Sequence, residues 1–154
     1  RVDSPGGAYQ CEIRPKAGGG ERVYLKGTQT KSPGYLVFTS IRSASVMWSP
    51  TDEWFAVVDA PDGHMTDLHV FHVVDVSGDP STWRIEEVYT SPSRLRYDTH
   101  WTILAWEITE GTITVSCRFR EAGSSAGFGK WFTRKYEVPI DPRPMKDQVP
   151  DQDP

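Results

Sequence analysis

The stretch Ala44–Val73, ASVMWSPTDEWFAVVDAPDGHMTDLHVFHV, decides the fold class. Ala44–Trp48 is a short apolar run that stops at Ser49-Pro50. Proline fixes its own φ and lacks an N–H, so a strand ends there and a turn begins. Thr51-Asp52-Glu53 is polar and fits that turn. Trp54–Asp59 (WFAVVD) then carries aromatic and β-branched residues, with no polar side chain before Asp59. A run so short and so apolar predicts a strand covered on both faces. Ala60-Pro61-Asp62-Gly63 reads as a turn, because proline presets φ and glycine tolerates positive φ. Asp67–Asp75 (DLHVFHVVD) resumes as a strand. Strand, turn, strand, loop, strand is an antiparallel meander.

The flanks continue the pattern. Ala8–Arg14, Arg22–Lys26 and Tyr35–Ile41 read as strands separated by glycine-containing loops. After the turn cluster Asp75–Ser81, Trp83–Tyr89 (WRIEEVY) alternates as a strand, with Trp83, Ile85 and Tyr89 on one face. Pro80 and Ser81 fit the opening of a short helix as the alternative. His100–Ile108 and Thr112–Arg120 flank the hairpin signal Thr109-Glu110-Gly111, and Ile113, Val115, Cys117 and Phe119 share one face. Glu121–Lys130 is a glycine-rich loop of the kind that carries function. Trp131–Val138 is the last strand and the edge to watch for pairing. With about ten strands and little helix, the fold class is all-β: antiparallel meander sheets forming a sandwich, an open barrel or a partial-propeller-like stack. Residues 1–138 form one domain, and 139–154 form a proline-rich extended tail.

Composition narrows the function classes. The 154 residues give one domain room for a core. Mean hydropathy is −0.51, and no apolar run approaches the roughly 20 residues of a membrane-spanning helix, so no membrane insertion is expected. A net charge of −4 lacks the basic face that nucleic acid demands. A monomer is expected. The first residue, Arg1, is not methionine, which reads as a processed chain or a fragment.

Trp48-Ser49-Pro50, the strand Trp54–Asp59 and the pair Asp67-Leu68 resemble the blade motif of the TolB-type and WD40-like β-propeller repeats. Ser4-Pro5-Gly6, followed by Tyr9 and a strand, repeats the order one blade-length earlier. Thr51-Asp52-Glu53 stands where the family usually carries aspartate-glycine, and His72 where an acidic residue is common. A chain of this length holds about three such blades, fewer than the four to eight of a closed propeller. The resemblance therefore implies a meander reused in an open arrangement. It also implies a non-enzymatic, extracytoplasmic (periplasmic or secreted) domain that binds a protein or carbohydrate ligand. Cys11 and Cys117 are the two cysteines, and their residues alone leave free core thiols and a disulfide equally open. The resemblance to periplasmic repeats favours a Cys11–Cys117 disulfide, which would contribute roughly 4–5 kcal/mol.

No catalytic constellation is visible. His69 and His72 fall on opposite faces of one strand, and His64 and Asp67 lie in the adjoining loop, within reach of His69. The spacing of Asp59, Asp62 and Asp67 is not that of a calcium loop. The glycine clusters lack the following helix and the Gly-Lys-Ser/Thr ending of a phosphate cradle. No metal or cofactor is expected. The tryptophans read either as core or as an aromatic platform, and those at strand starts, Trp54, Trp83 and Trp131, are the ones expected at the surface. The candidate ligand-binding set is therefore Trp54, Asp62, His64, Asp67, His69, Trp83 and Trp131. The alternative is a hydrolase using carboxylates from loops 59–67 and 121–130, or an accessory domain of a larger chain.

Overall fold

The computed structural model describes residues 1–92, 97–121 and 129–140, so the expected tail beyond Ile140 and most of the glycine-rich loop lie outside the described residues. Three antiparallel meanders follow one another along the chain. The first sheet holds β1 (Val2–Asp3), β2 (Tyr9–Pro15), β3 (Glu21–Gly27) and β4 (Tyr35–Ser40) in that order. The middle sheet holds β5 (Ser43–Trp48), β6 (Trp54–Ala60), β7 (Asp67–Asp75) and β8 (Arg84–Thr90). The third holds β9 (Tyr97–Glu107), β10 (Thr112–Glu121) and β11 (Phe132–Pro139), with β10 at its centre. Every pair of neighbouring strands is antiparallel. Among the described residues two 3₁₀ turns interrupt the strands, Pro80–Thr82 and Ile108–Glu110. Pro80-Ser81 thus opens a turn of helix and the strand still follows.

The middle sheet lies between the other two. On one side Phe55, Val57, Phe71, Val73 and Trp83 meet Cys11, Val23 and Leu25 of the first sheet. On the other, Trp54, Ala56, Leu68, Val70, Val88 and Tyr89 meet Trp101, Ile103, Ile113, Val115 and Cys117 of the third. This explains the unbroken apolar run of β6: alternate residues serve alternate cores. Phe55 has no exposed surface and stacks on Phe71 at 5.3 Å between ring centroids. Burying such a side chain stabilises by about 1.5–3 kcal/mol.

The link from β4 to β5 is only Ile41-Arg42. Strand β5 therefore starts beside β4. Its Ala44 N–H donates to Glu21 at the start of β3, and its Trp48 Nε1 donates to the Val2 carbonyl in β1. It runs across the face of the first sheet, from beside β3 to beside β1. The sheets stack, and among the described residues no barrel closes.

Two expectations are corrected. Cys11 and Cys117 form no disulfide: both are buried, and they sit in different cores with the middle sheet between them. A disulfide needs Cα atoms within about 7 Å, which an intervening sheet forbids. Tyr89 does not share a face with Trp83 and Ile85. The β7–β8 register shifts between Val70 and Phe71, where Tyr89 and Glu87 are the respective partners, so Val88 is an extra residue. This bulge turns Tyr89 into the second core and leaves Glu87 on the face of His69.

Candidate functional site

Where the first interface runs out of apolar residues it becomes polar. Asp59 and Asp67 are register partners on β6 and β7. Asp59 is buried and accepts a hydrogen bond from the Ser40 hydroxyl of the first sheet. Burial pushes the Asp67 carboxyl above its ordinary value; His69 opposes that shift, and Asp59 and Asp62 add to it. His69 Nδ1 lies 2.6 Å from Glu87 Oε1, which also accepts from Thr90 Oγ1 at 2.7 Å. The His69 bond holds Glu87 below its usual carboxylate range against the effect of burial. The Phe38 ring covers His69 at 4.5 Å.

The structure thus brings Asp67 and His69 together and adds Asp59, Glu87 and Ser40. These three come from other strands, so the spacing within β7 carried no sign of them. Asp62 does something else: its carboxylate accepts from the N–H groups of His64 and Met65 and so shapes the turn. His64 is exposed in that turn. His72 lies on the opposite face from His69, stacked on Trp54 at 4.0 Å, and burial lowers its pKa. Among the described residues no three histidine, cysteine or carboxylate side chains converge as a metal site.

The tryptophan expectation fails for two of its three residues. Trp54 and Trp83 are 8% and 7% exposed and belong to the two cores. A strand start is a surface position only where no second sheet covers it, and the middle sheet is covered on both sides. Trp131 is half-buried on the outer face of the third sheet. The Arg118 and Arg120 guanidiniums lie over its ring at 4.4 and 4.5 Å, and His100 is beside it at 5.3 Å. Cations already occupy the π-system a sugar would stack on.

A different aromatic group is open. The face of the third sheet that carries Val115 and Cys117 continues to Phe119, whose register partner is Phe132. Phe132 is 58% exposed, stacks on Phe119 at 5.8 Å, and Tyr97 meets Phe119 edge-on at 5.8 Å. These rings line a cleft of about 380 Å³, bordered by Lys130, Arg134 and Glu121. That volume is in the range of small-ligand sites, and the mix of apolar wall and few charged groups is their usual composition. Phe132 is not among the residues expected from the sequence, which singles out the tryptophans at strand starts. The available signal was symmetry: Phe119 and Phe132 are placed to pair across the hairpin, on the face opposite Trp131.

The two Ser-Pro turns that carry the blade resemblance are built alike. Ser4 N–H donates to the Tyr9 carbonyl and Ser49 N–H to the Trp54 carbonyl, each at 2.9 Å and five residues on. Both serines are buried, and the Gly6 N–H joins the two turns by donating to Asp52. Among the described residues no helix is long and apolar enough to cross a membrane. Compared with known protein families, curated proteins and solved structures, the chain shows no match.

Proposed function

We propose that this is a non-enzymatic binding domain whose cleft takes an apolar or aromatic group bearing a negative charge, presented by a partner protein or a small ligand. One observation carries the reading: Phe132, a large apolar side chain left more than half exposed on a stacked aromatic base beside Lys130 and Arg134. Exposed rings next to cations supply both the contact area and the charge selection of a binding hot spot. A monomer acting outside the cytoplasm remains the working placement. It now rests on the blade resemblance alone, because the cysteines no longer support it. Carbohydrate stacking loses its support with Trp54 and Trp83 buried.

The test is an NMR titration with 3-phenylpropionate and, separately, its neutral amide. The carboxylate should shift the ring signals of Tyr97, Phe119 and Phe132 and bind more tightly than the amide, and Phe132→Ser should abolish both. Shifts elsewhere, or no preference for the charged form, refute the reading. The hydrolase alternative keeps one supporting observation, the raised Asp67 carboxyl beside His69. It predicts a hydrolytic activity lost in Asp67→Asn and untouched in Phe132→Ser.

A further inference from the structure

Among the described residues the third sheet is one strand short of the other two. The first and middle sheets are four-stranded meanders, and the described part of the third holds three strands with β11 at its edge. The packing aligns the three in the same way. β5 lies against the third strand of the first sheet and β9 against the third strand of the middle one, so β9 is a first strand and the position left open is the fourth, beside β11. Among the described residues no strand pairs with that side of β11.

The register says which groups face the open side. The Ile140 N–H donates to the Gly111 carbonyl at 2.8 Å. In an antiparallel ladder, alternate residues direct both backbone groups to the same neighbour. Val138, Tyr136, Arg134 and Phe132 therefore spend theirs on β10, and Thr133, Lys135 and Glu137 present theirs outward. Pro139 falls in the outward set and lacks an N–H, so it closes one end of the edge. Lysine and proline also protect edges from unwanted pairing. Here the proline blocks only the last position, and the Lys135 side chain projects to the outer face, away from the line of backbone groups.

We infer that this edge is completed by an extended acidic peptide segment of a partner protein, which adds as the fourth strand of the third sheet and places an apolar side chain in the cleft. The inference rests on the binding reading above and gives its partner class. Strand addition draws affinity from main-chain hydrogen bonds and selectivity from a pocket for alternate side chains. The cleft lies on the inner face at the Phe132 end of the edge, where an inward side chain of the added strand would fall. Charge sets the sign of the partner. Lys130, Arg134, Lys135 and Arg118 surround β11 against Glu121 and Glu137, a locally basic region on a chain of net charge −4.

The experiment uses a capped seven-residue peptide of glutamates and valines around one central phenylalanine, with amide exchange and chemical shifts read on the full chain. In the free protein the Thr133, Lys135 and Glu137 amides should exchange fast while those of Arg134 and Tyr136 are protected. The peptide should protect the first three and shift Phe132. N-methylating alternate peptide amides in one register should weaken binding by about tenfold or more and in the other register leave it unchanged. Replacing the glutamates by lysines should remove binding. Lys135→Pro removes an outward donor together with one basic charge, and Lys135→Gln removes the charge alone; only the proline variant should add the loss seen with the first methylated peptide.

Equal effects of both methylation registers overturn strand addition. If 3-phenylpropionate still fills the cleft in that case, the binding reading survives it; if neither ligand binds, both fall. Protection of the outward amides before any peptide is added overturns the inference in favour of an edge already paired. If that protection depends on protein concentration, the occupant is a second copy of this chain.

Discussion

Tyr89→Phe should make this protein more stable. Tyr89 reaches the second core only because the Val88 bulge reverses its face, and its hydroxyl is buried there with no hydrogen-bond partner among the described residues. Burial, with Cys117 and Tyr136 close by, pushes its phenol above the ordinary range. An unpaired buried hydroxyl costs about 1–3 kcal/mol in proteins. Removing one oxygen leaves a void whose penalty, at about 24 cal/mol per Å³, is a few tenths of a kcal/mol. The net expectation is a gain of about 1–2 kcal/mol. For a domain of this size that raises Tm by roughly 3–6 °C. In urea it moves the midpoint upward at constant slope, which is the cleaner assay. The half-exposed Tyr24, changed to phenylalanine, is the control and should shift little. If Tyr89→Phe loses 1 kcal/mol or more, the hydroxyl has a partner, and the account of this core is wrong.

Three other outcomes follow from the same structure. Without reductant, the native protein should show no fast-reacting thiol and the unfolded protein should show two; burial pushes the Cys11 thiol up to about 12, far from the reactive thiolate. No thiol in the unfolded state would restore the disulfide. Acidification should destabilise in two stages. The lowered pKa of His72 means its contribution is present above its ordinary value near 6.5 and is lost as pH falls through the folded value, so His72→Gln should flatten that stage. The lowered pKa of Glu87 gives a second loss as pH falls below about 4.5, which Glu87→Gln should remove; denaturant midpoints across pH measure both. Finally, Phe132→Ser should change stability by less than about 1 kcal/mol, since the ring is largely solvated, while abolishing cleft binding. Coupled loss of both, seen by calorimetry beside the titration, would make Phe132 a core residue.

What the sequence determined by itself is local. Proline and glycine placed the turns, and the apolar run Trp54–Val58 required a strand covered on both faces, because no alternation offers water a side. The opposite faces of His69 and His72 follow from the two-residue period, and so does the core position of Cys117. The tertiary structure decided everything that depends on which surfaces meet. The same strand-start position buries Trp54 and Trp83 but leaves Phe132 open, since a second sheet covers the first two and not the third. Asp59, Asp67 and Glu87 meet through register, and one extra residue at Val88 reversed Tyr89. Cys11 and Cys117 belong to different cores because the middle sheet passes between them. Periodicity fixes the face of a strand, and only packing fixes what that face touches.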